Sequence, residues 1–293
     1  MKSRCHVILL GSSLLLGLTL AVASGAEASN QWSLATQLAT GGDIANSAIE
    51  FRRIALADKD ASSSGSAYWF AAYQYLRLHQ PDISCKMLDR SEDADTGIAP
   101  QVSLLRGEDA RLTRSWDEAA FHFQSVINSK PAPEMRTYAA RNLAAAEMRR
   151  GNIAAARDAI RTEPQNAERS MAALDKYERS TDRDPFVGGV LGLIPGLGYA
   201  YSGEYANAFR SLILNTLFGF AMYHTASREE WGAFVPVSFF EITWYTGSIY
   251  GGVDSAHRYN QNRRDACDDA LRGKASFEPD WFQVPLIKLQ FKF

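Results

Sequence analysis

Apolar and polar positions are arranged in four different ways along this chain. From Val7 to Ala23 an apolar run is broken only by Gly, Ser and Thr. From about residue 31 to 164, small and large apolar residues recur at helical spacing between turn residues. From Phe186 to Val253 the chain becomes Gly-rich and apolar. The last stretch, Phe282 to Phe293, alternates apolar and polar at its end, as a strand does.

The first arrangement predicts export. Lys2 and Arg4 precede the apolar run, and small residues follow at cleavage spacing as Ser24-Gly25-Ala26 or Ala26-Glu27-Ala28. Positive, apolar, small is the order of a secretory signal peptide, here residues 1–28. The alternative is an uncleaved anchor, because the run is longer than many signal cores. Cys5 lies before the run, so it is not the lipid-modified cysteine that follows such a run in lipoproteins.

The second arrangement predicts helix-turn-helix units over 29–164. Four units superpose on a small residue of their second helices, Ala48, Cys85, Ala119 and Ala156, at spacings of 37, 34 and 37. Turn residues fall between the helices at Gly41-Gly42-Asp43, Gln80-Pro81-Asp82, Arg114-Ser115 and Gly151-Asn152. Gly107 stands where two paired helices come close, and Phe123 follows on the partner helix. Paired helices need a small residue where they touch, and each pair leaves an apolar face that only the next pair covers. On these residues the region resembles the tetratricopeptide-repeat family. A generic helical bundle with alanine-rich seams is the alternative. The resemblance implies a concave protein- or peptide-binding side, with Tyr68, Tyr75, Arg77, His79, Arg106, Arg111, Tyr138 and Arg141 on the helices that line it. Residues 165–185 read as a charged capping helix and linker.

The third arrangement, 186–256, predicts a membrane hairpin. A Gly-rich segment around Pro195 leads into two apolar stretches, roughly Tyr205–Met222 and Trp231–Val253, each near the ~20 residues that cross a bilayer. Arg210, Asn215 and Glu241 interrupt them. With the turn centred near Ser227, Glu241 falls close to Arg210 and Asn215, and pairing of buried charge predicts contact among the three; snorkelling of Arg210 is the alternative. Gly247 and Gly251 stand at GxxxG spacing, as do Gly188, Gly192 and Gly196. The run Pro195-Gly196-Leu197-Gly198 through Gly203 and Tyr205, closed by Glu241, Trp244-Tyr245, Gly247 and Tyr250-Gly251, resembles a family of small two-helix membrane domains of bacterial envelope proteins. It departs at Ala200, where that family usually has Gln. The resemblance implies a membrane hairpin fused to repeats, with a role in membrane-protein insertion or envelope assembly; it does not imply an enzyme.

The expected fold is therefore all-α: a tetratricopeptide-like array, a membrane helical hairpin and a short strand-like tail over 257–293. Composition narrows the function further. With 293 residues and a net charge of −2, the chain lacks the basic balance of a nucleic-acid binder. Cys85 and Cys267 remain after signal removal, and their pairing is left open. The histidines show no metal spacing, and no nucleophile elbow, phosphate loop or CxxC motif occurs. No catalytic, cofactor or metal residue is assigned. The expectation is a non-enzymatic scaffold in the inner membrane with its repeats in the periplasm, binding proteins or peptides and membrane lipid. The alternative is an accessory subunit of a transport or channel complex that acts through the hairpin on another membrane protein. Arg258, Arg263 and Arg264 after the hairpin would favour a cytoplasmic flank; we follow the signal peptide, which translocates the repeats first.

Overall fold

A computed structural model describes residues 31–163 and 167–273. The expected signal peptide (1–28) and the strand-like stretch Phe282–Phe293 lie outside the described residues, whereas the first part of the expected tail, 257–272, is helix. Every regular element among those described is helical, so the chain is all-α there. It divides into two compact units, with the boundary between Gln165 and Asn166.

The first unit contains α1 (residues 31–40), α2 (Ile44–Ala57), α3 (Ala61–Arg77), α4 (Pro81–Ala94), α5 (Ala99–Leu112), α6 (Trp116–Asn128), α7 (Pro133–Arg149) and α8 (Ile153–Arg161). One turn recurs four times. Gly42, His79, Arg114 and Gly151 adopt positive φ, at intervals of 37, 35 and 37. The next residue in each case donates its N–H to the carbonyl five residues back: Asp43 to Leu38, Gln80 to Tyr75, Ser115 to Ala110 and Asn152 to Glu147, all at 2.8–2.9 Å. This is the Schellman closure, which satisfies the last carbonyls of one helix while starting the next.

Counting from that turn aligns the packing. Eight residues before the turn's last residue stand Ala35, Ala72, Gly107 and Ala144; four after stand Ser47, Ser84, Ala119 and Ala156; eight after stand Phe51, Leu88, Phe123 and Ile160. All are buried. A side chain at Gly107 would place its Cβ 2.9 Å from Phe123 Cε1, so the small residue makes room for the large one. Ser47 and Ser84 donate their hydroxyls to Ala35 and Ala72 carbonyls at 3.0 and 2.9 Å, the same bond in two successive pairs. Ala48 is buried beside Ser47, but Cys85 is exposed. The packing position of that pair is Ser84. One residue on, position 85 lies about 100° round the helix from that contact.

The second unit holds α9 (Ala167–Arg179), α10 (Pro185–Leu191), α11 (Leu197–Tyr201), α12 (Tyr205–Ser227) and α13 (Trp231–Arg272). α12 and α13 form a helical hairpin around the turn at 228–230, closed by another Schellman motif with Glu229 at positive φ. α13 runs past residue 256 without a break. The helix read as a cap, α9, packs against α13. Among the described residues, no helix is long and apolar enough to cross a membrane.

Candidate functional site: an inside-out hairpin

Helix spacing puts Ser211, Asn215 and Thr225 on one stripe of α12, and Ser248, Gly252 and Ser255 on one stripe of α13. All six are buried. Ser211 and Ser248 join hydroxyl to hydroxyl across the seam at 2.9 Å. Asn215 donates to the Ser211 carbonyl at 2.6 Å. The outward positions are the reverse: Phe209, Leu217, Phe220, Val235, Phe239 and Ile242 are all exposed. Outward-facing hydroxyls are turned back on their own helix. Thr243 donates to the Phe239 carbonyl and Thr246 to that of Ile242, so they present carbon to the surroundings. The fully buried positions of the seam are thus polar or small, and large apolar side chains are exposed on the hairpin's outer faces.

α10 and α11 lie against α13 through glycines. A Cβ on Gly188 would stand 2.5 Å from the Gly252 carbonyl oxygen, and one on Gly198 2.7 Å from Gly252 Cα. Backbone meets backbone there. Gly196 and Gly203 both need positive φ at the turns that enter and leave α11, and Pro195 sits in the first of them. The turn is held to α13 by Tyr245, whose hydroxyl donates to the Leu193 carbonyl at 2.8 Å. Gly251 packs under Tyr199, whereas Gly247 faces open space. Of the GxxxG pair, Gly251 is closely packed and Gly247 is not; the glycine that meets backbone is Gly252, one residue beyond.

The base of the hairpin is charged. Arg258 grips Glu204 at 2.9 Å with both guanidinium arms and also reaches Asp254. The Arg258 bonds, against some desolvation, hold the Glu204 carboxyl below the usual range. Asn260 exchanges two hydrogen bonds with the backbone of Arg183, at 2.7 and 2.8 Å. Arg263 lies over Tyr177, 4.2 Å from its ring centroid, and bonds Ser180 and Asp182. Burial alone would raise Asp182, but Arg263 and Arg264 hold it below its ordinary value.

The expected polar trio does not assemble. Among the described residues no hydrogen bond or ion pair joins Arg210, Asn215 and Glu241. Arg210 is exposed and reaches only Asn207. One Glu241 oxygen is buried with no partner, as are Ser238 Oγ and Asn215 Oδ1. The reason is register. The turn centres near 229 rather than 227, and with Ser211 opposite Ser248, Glu241 stands level with about residues 217–219, beyond Asn215. The pairs that do form, Ser211 with Ser248 and Glu204 with Arg258, were not expected as pairs; Arg258 was noted only for its charge after the hairpin.

In the first unit, the residues expected to line a binding side are mostly engaged. Tyr138 and Arg111 both bind the buried Glu108, Arg141 binds Glu163 at 2.6 Å, and Arg106 binds Asp89 and Glu92. Arg77 lies over Tyr73, Tyr68 and Tyr75 are buried, and His79 is a turn residue. Neither Cys85 nor Cys267 is in a disulfide. Among the described residues no cluster of His, Cys, Asp and Glu is placed to hold a metal ion.

Neither protein-family models nor curated proteins match this sequence.

Proposed function

We propose that this protein is a non-enzymatic scaffold of the cell envelope, anchored in the inner membrane by the α12–α13 hairpin, with a tetratricopeptide-like array over 29–164 that recruits proteins or peptides in the periplasm. The observation that carries the reading is the reversed polarity of the hairpin. A water-soluble hairpin buries its apolar residues and exposes its hydroxyls. This one pairs Ser211 with Ser248 inside and presents Phe209, Leu217, Phe220 and Phe239 outside. Exposed apolar surface of that extent needs a lipid or protein cover. Interhelical hydroxyl pairs are a known glue in lipid.

Seam residues such as Ser211 and Asn215 lower the hydropathy averaged along α12. A hairpin that enters lipid as a pair exposes only its outer faces. α12, with 23 residues, measures about 34 Å, against a hydrocarbon core of about 30 Å. Arg228, Glu229 and Glu230 stand at one end and the Glu204–Arg258 pair at the other. The recurring Schellman turns and the aligned small and large positions of the first unit support the repeat reading.

The test is made on native membranes. Carbonate-resistant membrane association of the full chain is expected, and its loss into the soluble fraction would refute the anchor. Affinity purification then separates the two roles. Soluble partners retained by the wild type and lost when the repeat domain is deleted favour the scaffold. Partners retained without the repeats, and lost on Glu241→Ala, favour an accessory subunit working through its hairpin. If neither variant changes the captured set, both roles fall.

A further inference from the structure

The second unit has a cavity of about 480 Å³ at the polar base of the hairpin. Lys176 and Tyr177 of α9 and Tyr259 and Asn262 of α13 stand around it, and Ala266 and Ala270 contribute small apolar walls. The charges there do not balance. Glu204 on the cavity wall is neutralised by Arg258, and Arg263 by Asp182. Lys176 has no acidic partner among the described residues. Nor does Arg183, whose guanidinium lies 5.0 Å from the Tyr201 ring centroid and 5.2 Å from that of Tyr259. Its Nε is buried without a hydrogen-bond partner. Tyr259 therefore lines the cavity and also carries an uncompensated arginine. A cation held between aromatic rings and stripped of part of its water is stabilised by an arriving anion.

We propose that this cavity binds the phosphate headgroup of an anionic phospholipid. Lys176 on the wall and Arg183, behind the lining Tyr259, supply the charge, and Asn262 a neutral amide. The proposal rests on the membrane reading above. A lipid is chosen over a free anion because exposed apolar surface begins on α10, close in the chain to Arg183. Phe186, Val187 and Val190 are exposed along α10, which starts two residues after Arg183, past the capping Asp184, and offer a path for acyl chains from headgroup depth towards the hairpin's apolar belt. The Ala266 and Ala270 walls leave room for a headgroup bulkier than phosphate alone.

The experiment compares binding of the purified full chain to vesicles of phosphatidylcholine alone and of phosphatidylcholine mixed with phosphatidylglycerol. The wild type is expected to prefer the mixed vesicles. Replacing both cations, Lys176→Gln with Arg183→Gln, is expected to lower that preference about 30-fold, at roughly a factor of five per cation. Ala270→Phe fills the cavity without changing charge and is expected to lower the preference too. Ala266→Leu, at an exposed rim position, is the second filling variant should Ala270→Phe fail to fold by circular dichroism. Replacing two cations of the first unit, Arg52→Gln with Lys86→Gln, should leave the preference standing. An undiminished preference in the folded filling variants would overturn the site in favour of diffuse charge attraction. Inorganic phosphate alone binding as tightly as the vesicles would overturn the lipid as occupant. Absence of binding to both vesicles would instead strike the membrane reading itself, and the lipid site with it.

Discussion

Ser211 and Ser248 meet hydroxyl to hydroxyl at 2.9 Å in the buried seam of a hairpin whose outer faces carry Phe209, Leu212 and Phe239. This single contact sets the register of α12 on α13. It also explains why a charge further along the seam is left alone. Glu241 shares the Ser248 stripe at helical spacing, yet the level it reaches on α12 lies beyond Asn215.

A buried carboxylate oxygen without a partner is a cost the fold carries, and replacing it by a group of similar size removes that cost. Glu241→Leu is therefore expected to raise hairpin stability by about 1 kcal/mol or more, read as a higher melting temperature of the full chain in detergent. A drop in melting temperature would mean that Glu241 has a structural partner after all. If partner capture is lost while stability rises, the residue is kept for binding.

The glycines of the second unit divide by what surrounds them. Gly252→Ala would drive a methyl group into the Gly188 carbonyl, and backbone has no rotamer with which to yield; a cost of about 1–3 kcal/mol is expected. Gly247→Ala meets open space and gains helix propensity, so it should be neutral or stabilising by up to about 1 kcal/mol. Paired thermal melts check both. Equal destabilisation at the two sites would show that Gly247 also serves an intimate contact.

Much of this was readable from residues alone, and the misses are instructive. Turn chemistry at Gly42 and Gly151 marked its own place, because glycine adopts positive φ without cost. His79 and Arg114 take the same conformation with side chains that give no such signal. The repeat positions were then displaced by one at Ser47 and Ser84, because an alanine or a cysteine looks more like a packing residue than a serine does. Ser84 is suitable because its hydroxyl is spent on the Ala72 carbonyl, and sequence does not reveal where a hydroxyl goes. In the hairpin, the composition announced two apolar helices with embedded polar residues. Which polar residues face each other depended on a two-residue shift of the turn, and the two-tyrosine stack around Arg183 depends on α10 folding back beside α13.

Gly107 and Phe123 form a tight small–large pair in the first unit. Gly107→Ala must displace the Phe123 ring, with Cβ contacts of 2.9–3.1 Å, and is expected to cost about 1–3 kcal/mol. Phe123→Ala empties the same site and should cost about 3–5 kcal/mol. Gly107→Ala combined with Phe123→Leu should cost less than the sum, since the added methyl occupies part of the lost ring. Denaturant melts of the four proteins test this; strict additivity would mean the two positions do not touch.

Cys85 reaches solvent, yet its thiol is pushed up to about 11, first by desolvation from its neighbours and then by Asp109, whose carboxylate lies 3.5 Å away. At pH 8 only about one thiol in a thousand is then ionised. Alkylation by iodoacetamide should be slow for so accessible a cysteine, and Asp109→Asn should accelerate it. Fast labelling of the wild-type thiol would contradict the Asp109 contact.

The last expectation concerns acid. Glu204 titrates below the ordinary glutamate value of 4.5, chiefly because Arg258 bonds its charged form. A depressed carboxyl stabilises the fold fully above that ordinary value and loses its contribution as pH falls through the lower, folded one. The second unit should thus hold constant stability from neutral pH down to about 4.5 and weaken below it, with Asp182 acting in the same direction under Arg263 and Arg264. Glu204→Gln should be less stable at neutral pH, because Arg258 loses its bidentate partner, and should fall less steeply in acid. Melting temperature against pH for the two proteins decides the matter: curves that stay parallel below pH 4.5 would mean that the Glu204–Arg258 pair contributes nothing to the base of the hairpin.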